Sequence, residues 1–199
     1  ADKNQAAQEV DKALDLIEYI ASVFGLTLGE NYSYRLSLGD RADDKKYYKN
    51  DTAWNEGEEM LRSVLKNRKG AFVEAAGEAA FYGPKIDIQM KDARGKENTA
   101  FTVQYDFCMP DRFNLTYVTS DGSEQRPVVV HRSSIGAIER VMAFLIEHYA
   151  GAFPVWLAPV QVKVLPIGET HPDYAENIAK ELRAHDIRVE IDATNESLG

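Results

Sequence analysis

The sequence contains a single cysteine, Cys108, among its 199 residues. One cysteine cannot form an internal disulfide or a zinc site of the Cys-Cys type, and this agrees with a reducing compartment. The sequence also has no apolar run near the ~18 residues that a membrane-spanning helix needs. Residues 1–4 do not begin the basic-then-apolar order of a secretory signal. We therefore expect a cytoplasmic protein without a membrane segment.

Positive charge is also scarce, because 23 Lys and Arg stand against 32 Asp and Glu, for a net charge of −9. Nonspecific binding to nucleic acid depends on clustered Lys and Arg. The charge balance therefore excludes a general polyanion binder, and any contact with RNA must be local. The small basic clusters at residues 45–46 and 66–69 are typical of solvated helix faces.

Two helices are predicted in the first third of the chain. Apolar residues recur every three or four positions over residues 4–24, and Gly25 follows as a stop signal. A second helix is predicted to begin at Asp51 as N-cap and to end at Gly70. Short strands are predicted before it, at residues 34–38, and after it, at residues 71–73.

The middle of the chain is predicted to form an antiparallel sheet. Residues 85–91 alternate apolar and polar side chains, and a second strand over residues 99–107 follows a turn at Arg94-Gly95. Further strands are predicted at residues 115–118 and 127–131. With helices on its flanks this sheet gives an α+β fold, which differs from a doubly wound nucleotide-binding fold.

The composition changes at residues 151–159, where Gly, Pro and bulky apolar residues predict a connector. A strand, a helix and a strand follow, the order of a parallel βαβ unit. We therefore expect one domain over residues 1–152, a connector over residues 153–159 and a second domain over residues 160–199. Two strands and one helix are too few to close an α/β core, so the chain is expected to be a fragment.

The segment from Ile135 to Leu145 contains the pattern Gly-x-x-Glu-Arg. It lies between a run at residues 127–132, predicted to be a buried strand, and a helix with an apolar face. A guanidinium in this position can form a planar fork to phosphate oxygens, and Gly136 permits close approach of the backbone. Arg140 is thus a candidate ATP-phosphate ligand. The helix is predicted from the spacing of Ile138, Val141, Met142, Leu145 and Tyr149.

Polar side chains alternate along the two strands of the predicted hairpin. Lys85 and Asp87 share one strand face, and Thr102, Gln104 and Asp106 do the same on the next strand. The row is either a solvent-facing stripe or the lining of a polar pocket, with Asp106 in a buried supporting role.

Four blocks of sequence together resemble the bacterial-type threonyl-tRNA synthetases, a family of class II aminoacyl-tRNA synthetases. Other class II synthetases share only the Gly-x-x-Glu-Arg pattern, whereas the resemblance here extends over nearly the whole chain. The blocks are Phe81-Tyr82-Gly83-Pro84-Lys85-Ile86-Asp87, residues 102–113 with Gln104-Tyr105-Asp106, residues 126–140 with His131-Arg132, and residues 147–162 with Glu147-His148-Tyr149.

The resemblance implies a catalytic antiparallel sheet followed by the start of a C-terminal α/β anticodon-binding domain, in a homodimer. The implied reaction is activation of L-threonine with ATP and Mg²⁺, followed by transfer to tRNA(Thr). By position, the residues implied are Arg140 and Lys85 in catalysis, Tyr82, Thr102, Gln104 and Arg140 in binding of substrate and ATP, and Asn195 in anticodon contact.

The resemblance also implies zinc, held in the family by one Cys and two His. His131 matches the last of these ligands, whereas a lone His after an apolar strand is otherwise typical of a rim residue. Such an ion binds the amino group and hydroxyl of threonine and so rejects valine. No metal role is assigned to His148, His171 or His185, and Cys108 does not match the family's cysteine.

Three positions depart from the family pattern, namely Thr99, Phe101 and Ala137. Phe101 is expected to narrow the pocket. The departures leave two other hypotheses: a noncatalytic paralogue that binds RNA or a protein partner, and a class II synthetase for another amino acid. Because two zinc ligands and the first two family motifs are not in the sequence, we expect the 199 residues alone to be inactive.

Overall fold

The computed structural model describes residues 2–68, 70–167 and 171–194. The chain divides into two compact units, residues 1–148 and residues 149–199. In the described ranges the elements of the first unit are α1 (Lys3–Val23), β1 (Tyr32–Leu38), α2 (Asp51–Asn67), β2 (Phe72–Ala76), β3 (Lys85–Lys91), β4 (Glu97–Asp106), α3 (Cys108–Arg112), β5 (Tyr117–Val118), β6 (Glu124–Gln125), β7 (Val129–Ser133) and α4 (Ile138–Tyr149).

The main sheet has five strands in the order β2-β1-β3-β4-β7. The predicted hairpin is confirmed, because β3 and β4 pair antiparallel, and β7 joins the far side of β4 in the same sense. The predicted α+β class is confirmed as well. One pair differs from the antiparallel prediction: β2 runs parallel to β1, since α2 crosses over between them. The short strands β5 and β6 form a separate hairpin.

Helices α1 and α2 cover the apolar face of this sheet. The face is built by alternate residues of the strands, such as Leu36, Ile88 and Val103, all without exposed surface. Tyr34 of β1 donates a hydrogen bond to Glu18 of α1. Burial of such residues stabilises the fold by about 25 cal/mol for each Å² of apolar surface that is removed from water. This layer is therefore the core of the first unit.

Helix α2 begins one residue earlier than predicted. The N-cap is Asn50, whose side-chain oxygen accepts a hydrogen bond from the Ala53 backbone N–H at 3.1 Å. Asp51, the predicted cap, is the first helical residue and places its carboxylate in the first turn. Either residue type can cap a helix, and the non-helical backbone at Asn50, with φ −159°, decides between them.

Replacing Asn50 with alanine is expected to lower the free energy of unfolding by about 1 kcal/mol, because the Ala53 N–H loses its acceptor. Asp51→Ala is expected to cost about 0.5 kcal/mol, since it removes only a charge near the helix N-terminus. Urea unfolding of both variants measures the difference. A larger loss for Asp51→Ala than for Asn50→Ala would contradict the assigned cap.

The prediction of a buried strand over residues 127–132 is wrong. Among the described residues, strand β7 lies at the edge of the sheet next to β4, and both His131 and Arg132 are exposed. The buried face of helix α4 is narrower than the predicted apolar face. Val141 and Leu145 are buried, one turn apart, whereas Ile138, Met142 and Ile146 are at least half exposed.

The second unit contains the predicted parallel βαβ arrangement. Strands β8 (Val162–Val164) and β9 (Val189–Ile191) pair in parallel, and α5 (Pro172–Ala184) connects them. Arg188, directly before β9, donates hydrogen bonds from its guanidinium to the carbonyls of Trp156 and Ala158, at 2.6 and 2.8 Å. These bonds hold the segment that precedes β8 against the start of β9. Within the described ranges, no helix is long and apolar enough to cross a membrane.

Candidate functional site

One face of the main sheet carries polar side chains on four neighbouring strands. Residues directly opposite one another in antiparallel strands point to the same face. Asp87 lies opposite Arg35 and Thr102, and Gln104 lies opposite Lys85 and His131. We call this surface the polar face; its members are Ser33, Arg35 and Ser37 of β1, Lys85, Asp87 and Gln89 of β3, Thr99, Thr102, Gln104 and Asp106 of β4, and His131 and Ser133 of β7.

Four residues at one end of the polar face form a connected group, the Tyr82–His131 cluster. The Tyr82 hydroxyl donates to Gln104 Oε1, and the Tyr82 ring lies 5.3 Å from the His131 ring. His131 Nε2 lies 2.8 Å from Asp106 Oδ2. Burial and, second, the Asp106 carboxylate raise the pKa of Tyr82. Gln104 Nε2 reaches Thr102 Oγ1 at 3.4 Å.

The other end of the polar face is organised by Asp87, whose side chain has no exposed surface. Its carboxylate accepts hydrogen bonds from Lys85 Nζ at 2.8 and 3.0 Å, from Ser37 Oγ at 2.7 Å and from Arg35 at 3.0 Å. Burial by itself raises the pKa of Asp87, but the donors from Lys85, Ser37 and Arg35 outweigh it, and the net pKa is lowered. Asp87 therefore holds two cationic side chains in fixed positions on the face.

A β-bulge in β4 separates Thr99 from Phe101. Ile88 pairs with Phe101 and Gln89 with Thr99, so Ala100 has no partner in the register. The Thr99 hydroxyl lies on the polar face, where it contacts Gln89 Nε2 at 2.6 Å. Phe101 lies on the apolar face with no exposed surface. The expectation that Phe101 narrows the pocket is therefore wrong, because its alternation places it on the opposite side of the sheet.

Gly136 and Arg140 both rest on the bulge. Gly136 has φ +72°, and a Cβ atom built on it would lie 2.0 Å from the Ala100 carbonyl oxygen. Its close backbone approach is thus to β4. The Arg140 guanidinium donates to the Thr99 carbonyl oxygen at 2.5 Å. It also lines a cavity of about 180 Å³, whose other lining residues include Met90, Asp92, Asn98, Ala143, Phe144 and Glu147.

The structure thus gathers only some of the predicted site residues. Tyr82, Gln104 and His131 are in contact, and Thr102 adjoins them. Lys85 lies on the same face opposite Gln104 and is bound to Asp87. Arg140 is not part of this group, because its exposed side chain donates to the bulge carbonyl of Thr99. Its role in phosphate binding stays a prediction.

His131 has the features of one metal ligand. Its side chain is 44% exposed, one ring nitrogen is held by Asp106, and no hydrogen bond joins Nδ1 to another described residue. Across residues 2–68, 70–167 and 171–194 there is no group of three or more His, Cys, Asp or Glu able to hold a metal ion. The described residues would therefore supply one ligand, His131, to a zinc ion.

The three members of the polar face in β1, Ser33, Arg35 and Ser37, were not anticipated from the sequence. The signal was present, since Ser33, Arg35 and Ser37 alternate with Tyr34 and apolar residues in β1 as the polar residues do in β3. Arg35 contributes a second cation next to Lys85, and Ser37 a hydroxyl to Asp87. Asn195, the predicted anticodon contact, lies outside the described residues.

Two family models match the sequence. The "tRNA synthetase class II core domain (G, H, P, S and T)" matches residues 3–149, about three quarters of the chain, and includes the entire polar face. The "Anticodon binding domain" matches residues 161–199.

Individual proteins agree with these matches. The chain is 45% identical to a threonine-tRNA ligase of Oceanobacillus iheyensis and 50% identical to one of Streptococcus equi subsp. zooepidemicus. Each alignment covers 98% of this chain and 30% of the relative, so the chain spans about 30% of the length of these curated relatives. Among solved structures, the RNA binding domain of threonyl-tRNA synthetase from Cryptosporidium parvum is 35% identical, with a TM-score of 0.88. That match covers 100% of this chain and 48% of the other.

Proposed function

Since the chain belongs to the tRNA synthetase family with a class II core, we propose that it forms part of a threonine-tRNA ligase. Such an enzyme activates L-threonine with ATP and transfers the threonyl group to tRNA(Thr). The observation that carries the proposal is the Tyr82–His131 cluster, which sets a phenol, an amide and an imidazole side by side on the open polar face. The names of the relatives support the choice of amino acid.

The cluster suits a small hydroxylated amino acid. The Tyr82 hydroxyl donates a hydrogen bond to Gln104 Oε1, so the remaining donor and acceptor positions of both side chains are oriented before the substrate arrives. Preorganised polar groups of this kind reject an analogue without the hydroxyl, because the site's own groups are then left unpaired. Where a zinc ion is bound, it supplies a Lewis acid for the threonine amino and hydroxyl groups. His131 is the described residue that would contribute a ligand to it.

The charged end of the polar face suits the ATP part of the reaction. Lys85 and Arg35 are fixed by Asp87 and offer positive charge on one surface. Fixed cations stabilise charge that develops on a phosphate in the transition state. Arg140 joins them as the proposed contact of the ATP phosphates, with Mg²⁺ accompanying the nucleotide. For this role its guanidinium must exchange the Thr99 carbonyl for a phosphate oxygen.

The second unit is proposed to bind the anticodon of tRNA(Thr), with Asn195 as one contact. The proposed domain bounds are residues 1–152 for the catalytic part, 153–159 for the connector and 160–199 for the anticodon-binding part. The match of the anticodon-binding family to residues 161–199 supports this division. We further propose that the protein works in the cytoplasm as a homodimer.

The proposal is tested on a full-length ligase that contains this chain, called the longer protein below. The measurement is the threonine-dependent exchange of pyrophosphate into ATP. We expect the wild-type protein to catalyse exchange with threonine, and His131→Ala to lower the rate about 100-fold. His185→Ala is the matched control, because His185 is an exposed histidine at the end of α5, and its rate is expected to equal that of the wild type. Exchange driven by another amino acid, or no exchange at all, would overturn the proposal in favour of another synthetase or a noncatalytic binding protein.

A further inference from the structure

Asp106 is a buried carboxylate in direct contact with an exposed imidazole. Its side chain has no exposed surface, whereas that of His131 is 44% exposed, and His131 Nε2 lies 2.8 Å from Asp106 Oδ2. The two residues come from neighbouring strands, but Asp106 is paired in the register with Val129 rather than with His131. The contact is therefore a diagonal one, made by the side chains.

The other carboxylate oxygen is fixed by the backbone. Asp106 Oδ1 accepts hydrogen bonds from the N–H groups of Cys108 and Met109, at 3.0 and 2.9 Å, at the start of the short helix α3. With Oδ1 occupied in this way, the carboxylate cannot rotate without losing both bonds. Oδ2 is then presented to the His131 ring from a fixed position.

This arrangement determines which imidazole nitrogen carries the proton. An ionised carboxylate only accepts hydrogen bonds, so the nitrogen next to it, Nε2, must be the donor. In the neutral ring the lone pair then lies on Nδ1. No described residue occupies Nδ1 through a hydrogen bond, and the exposed ring leaves this nitrogen open to a ligand.

We propose that Asp106 is a positioning residue that holds His131 in the Nε2–H tautomer, with Nδ1 as the nitrogen that binds the ligand on the polar face. The inference extends the proposed function, in which His131 contributes to amino-acid recognition through zinc. Carboxylate partners of this kind orient a ligating histidine and raise its basicity. Asp106 itself touches neither substrate nor metal.

The tautomer of His131 is measurable without activity or metal. In the 199-residue chain labelled with ¹⁵N-histidine, long-range ¹H–¹⁵N correlation spectra at pH 8 distinguish a protonated ring nitrogen from a bare one. His131→Gln assigns the signals among the four histidines. We expect Nε2 to be protonated and Nδ1 to be bare. A wild-type ring protonated at Nδ1 would overturn the inference, and this measurement requires no change at Asp106.

Asp106→Asn provides the decisive variant. Asparagine retains an oxygen for the Cys108 and Met109 N–H groups, which leaves its amide NH₂ facing His131 Nε2. Because an NH₂ group donates, Nε2 must now accept, and the proton is expected to move to Nδ1. If Asp106 served only to start α3, the tautomer would stay unchanged, and that result would overturn the inference. A thermal melt of the variant checks that the fold is retained.

The longer protein separates this inference from the proposed function. There, Asp106→Asn is expected to lower zinc content, or kcat/KM for threonine, by about 10–100-fold, while KM for ATP stays unchanged. If the wild-type protein shows no threonine-dependent exchange, the proposed function fails, and the tautomer in the 199-residue chain still decides the role of Asp106. If exchange and zinc content are normal in Asp106→Asn, the positioning role fails and the proposed function stands.

Discussion

Replacing Gly136 with alanine is expected to lower the free energy of unfolding of the 199-residue chain by about 3 kcal/mol or more. Two costs combine at this position. The backbone has φ +72°, a conformation that disfavours a side chain, and the new Cβ would lie 2.0 Å from the Ala100 carbonyl oxygen. The colliding atom belongs to the backbone of β4, so no rotamer change relieves the contact. Either the bulge or the start of α4 must shift.

Gly122→Ala isolates the collision from the backbone cost. Gly122 has φ +84°, but a Cβ atom there would have no heavy atom within 4 Å. The expected loss is about 1 kcal/mol, the cost of a left-handed residue alone. Urea unfolding of both variants gives the comparison. Equal losses in the two would contradict the close approach of Gly136 to β4.

Removal of the Asp87 carboxylate is expected to be similarly costly. Asp87→Ala leaves Lys85 and Arg35 without their common anion and Ser37 without an acceptor. Breaking a buried ion pair from one side costs about 3–5 kcal/mol. Because the two cations are 17% and 24% exposed, we expect a value near the lower end, about 3 kcal/mol. Chemical denaturation at pH 7 measures it.

The matched control for this loss is a surface ion pair. Asp44 pairs with Lys49, but both side chains are more than 60% exposed. Asp44→Ala is therefore expected to change stability by less than about 0.5 kcal/mol. A loss in Asp87→Ala no greater than in this control would show that the Asp87 network contributes nothing to folding.

The effect of Asp87 should also depend on pH. Its pKa in the folded chain is lowered from the ordinary 3.8, so its stabilising contribution is complete above 3.8. The contribution is lost only as the pH falls through the lower value of the folded state. The difference in unfolding free energy between the wild type and Asp87→Asn should accordingly be constant from pH 7 to about 5. It should shrink only below 3.8.

The regular elements of the fold were accessible from periodicity. Helix α1 follows from the spacing of Val10, Leu14 and Ile17, all fully buried, and the β3–β4 hairpin follows from the alternation around Ile86 and Ile88. The helix cap was not accessible in the same way. Adjacent Asn and Asp residues are equally good caps, and only the backbone conformation distinguishes them.

The site was predictable to the extent that it follows strand alternation. The polar members of β3 and β4 were identified because they alternate with apolar residues, and Arg35 in β1 was overlooked because that strand was identified by its apolar members. Two features depend on tertiary contacts alone. The bulge at Ala100 is fixed by pairing with β3 and by the Gly136 loop. The direction of Arg140 is set by a carbonyl on another strand.

Ala100, the residue of β4 without a partner in β3, has a structural role outside the sheet. If Ala100 were deleted, Thr99 and Phe101 would become consecutive residues and would still point to opposite faces of the sheet. The pairing of β4 with β3 would become regular. Elsewhere in β4 the loss of one residue would invert every side chain beyond it. A shortened strand would lose the Ala100 carbonyl, which Gly136 approaches closely, next to the Thr99 carbonyl that accepts a hydrogen bond from Arg140. Ala100 thus helps to hold helix α4 in place, and its removal is expected to disturb α4 more than the sheet.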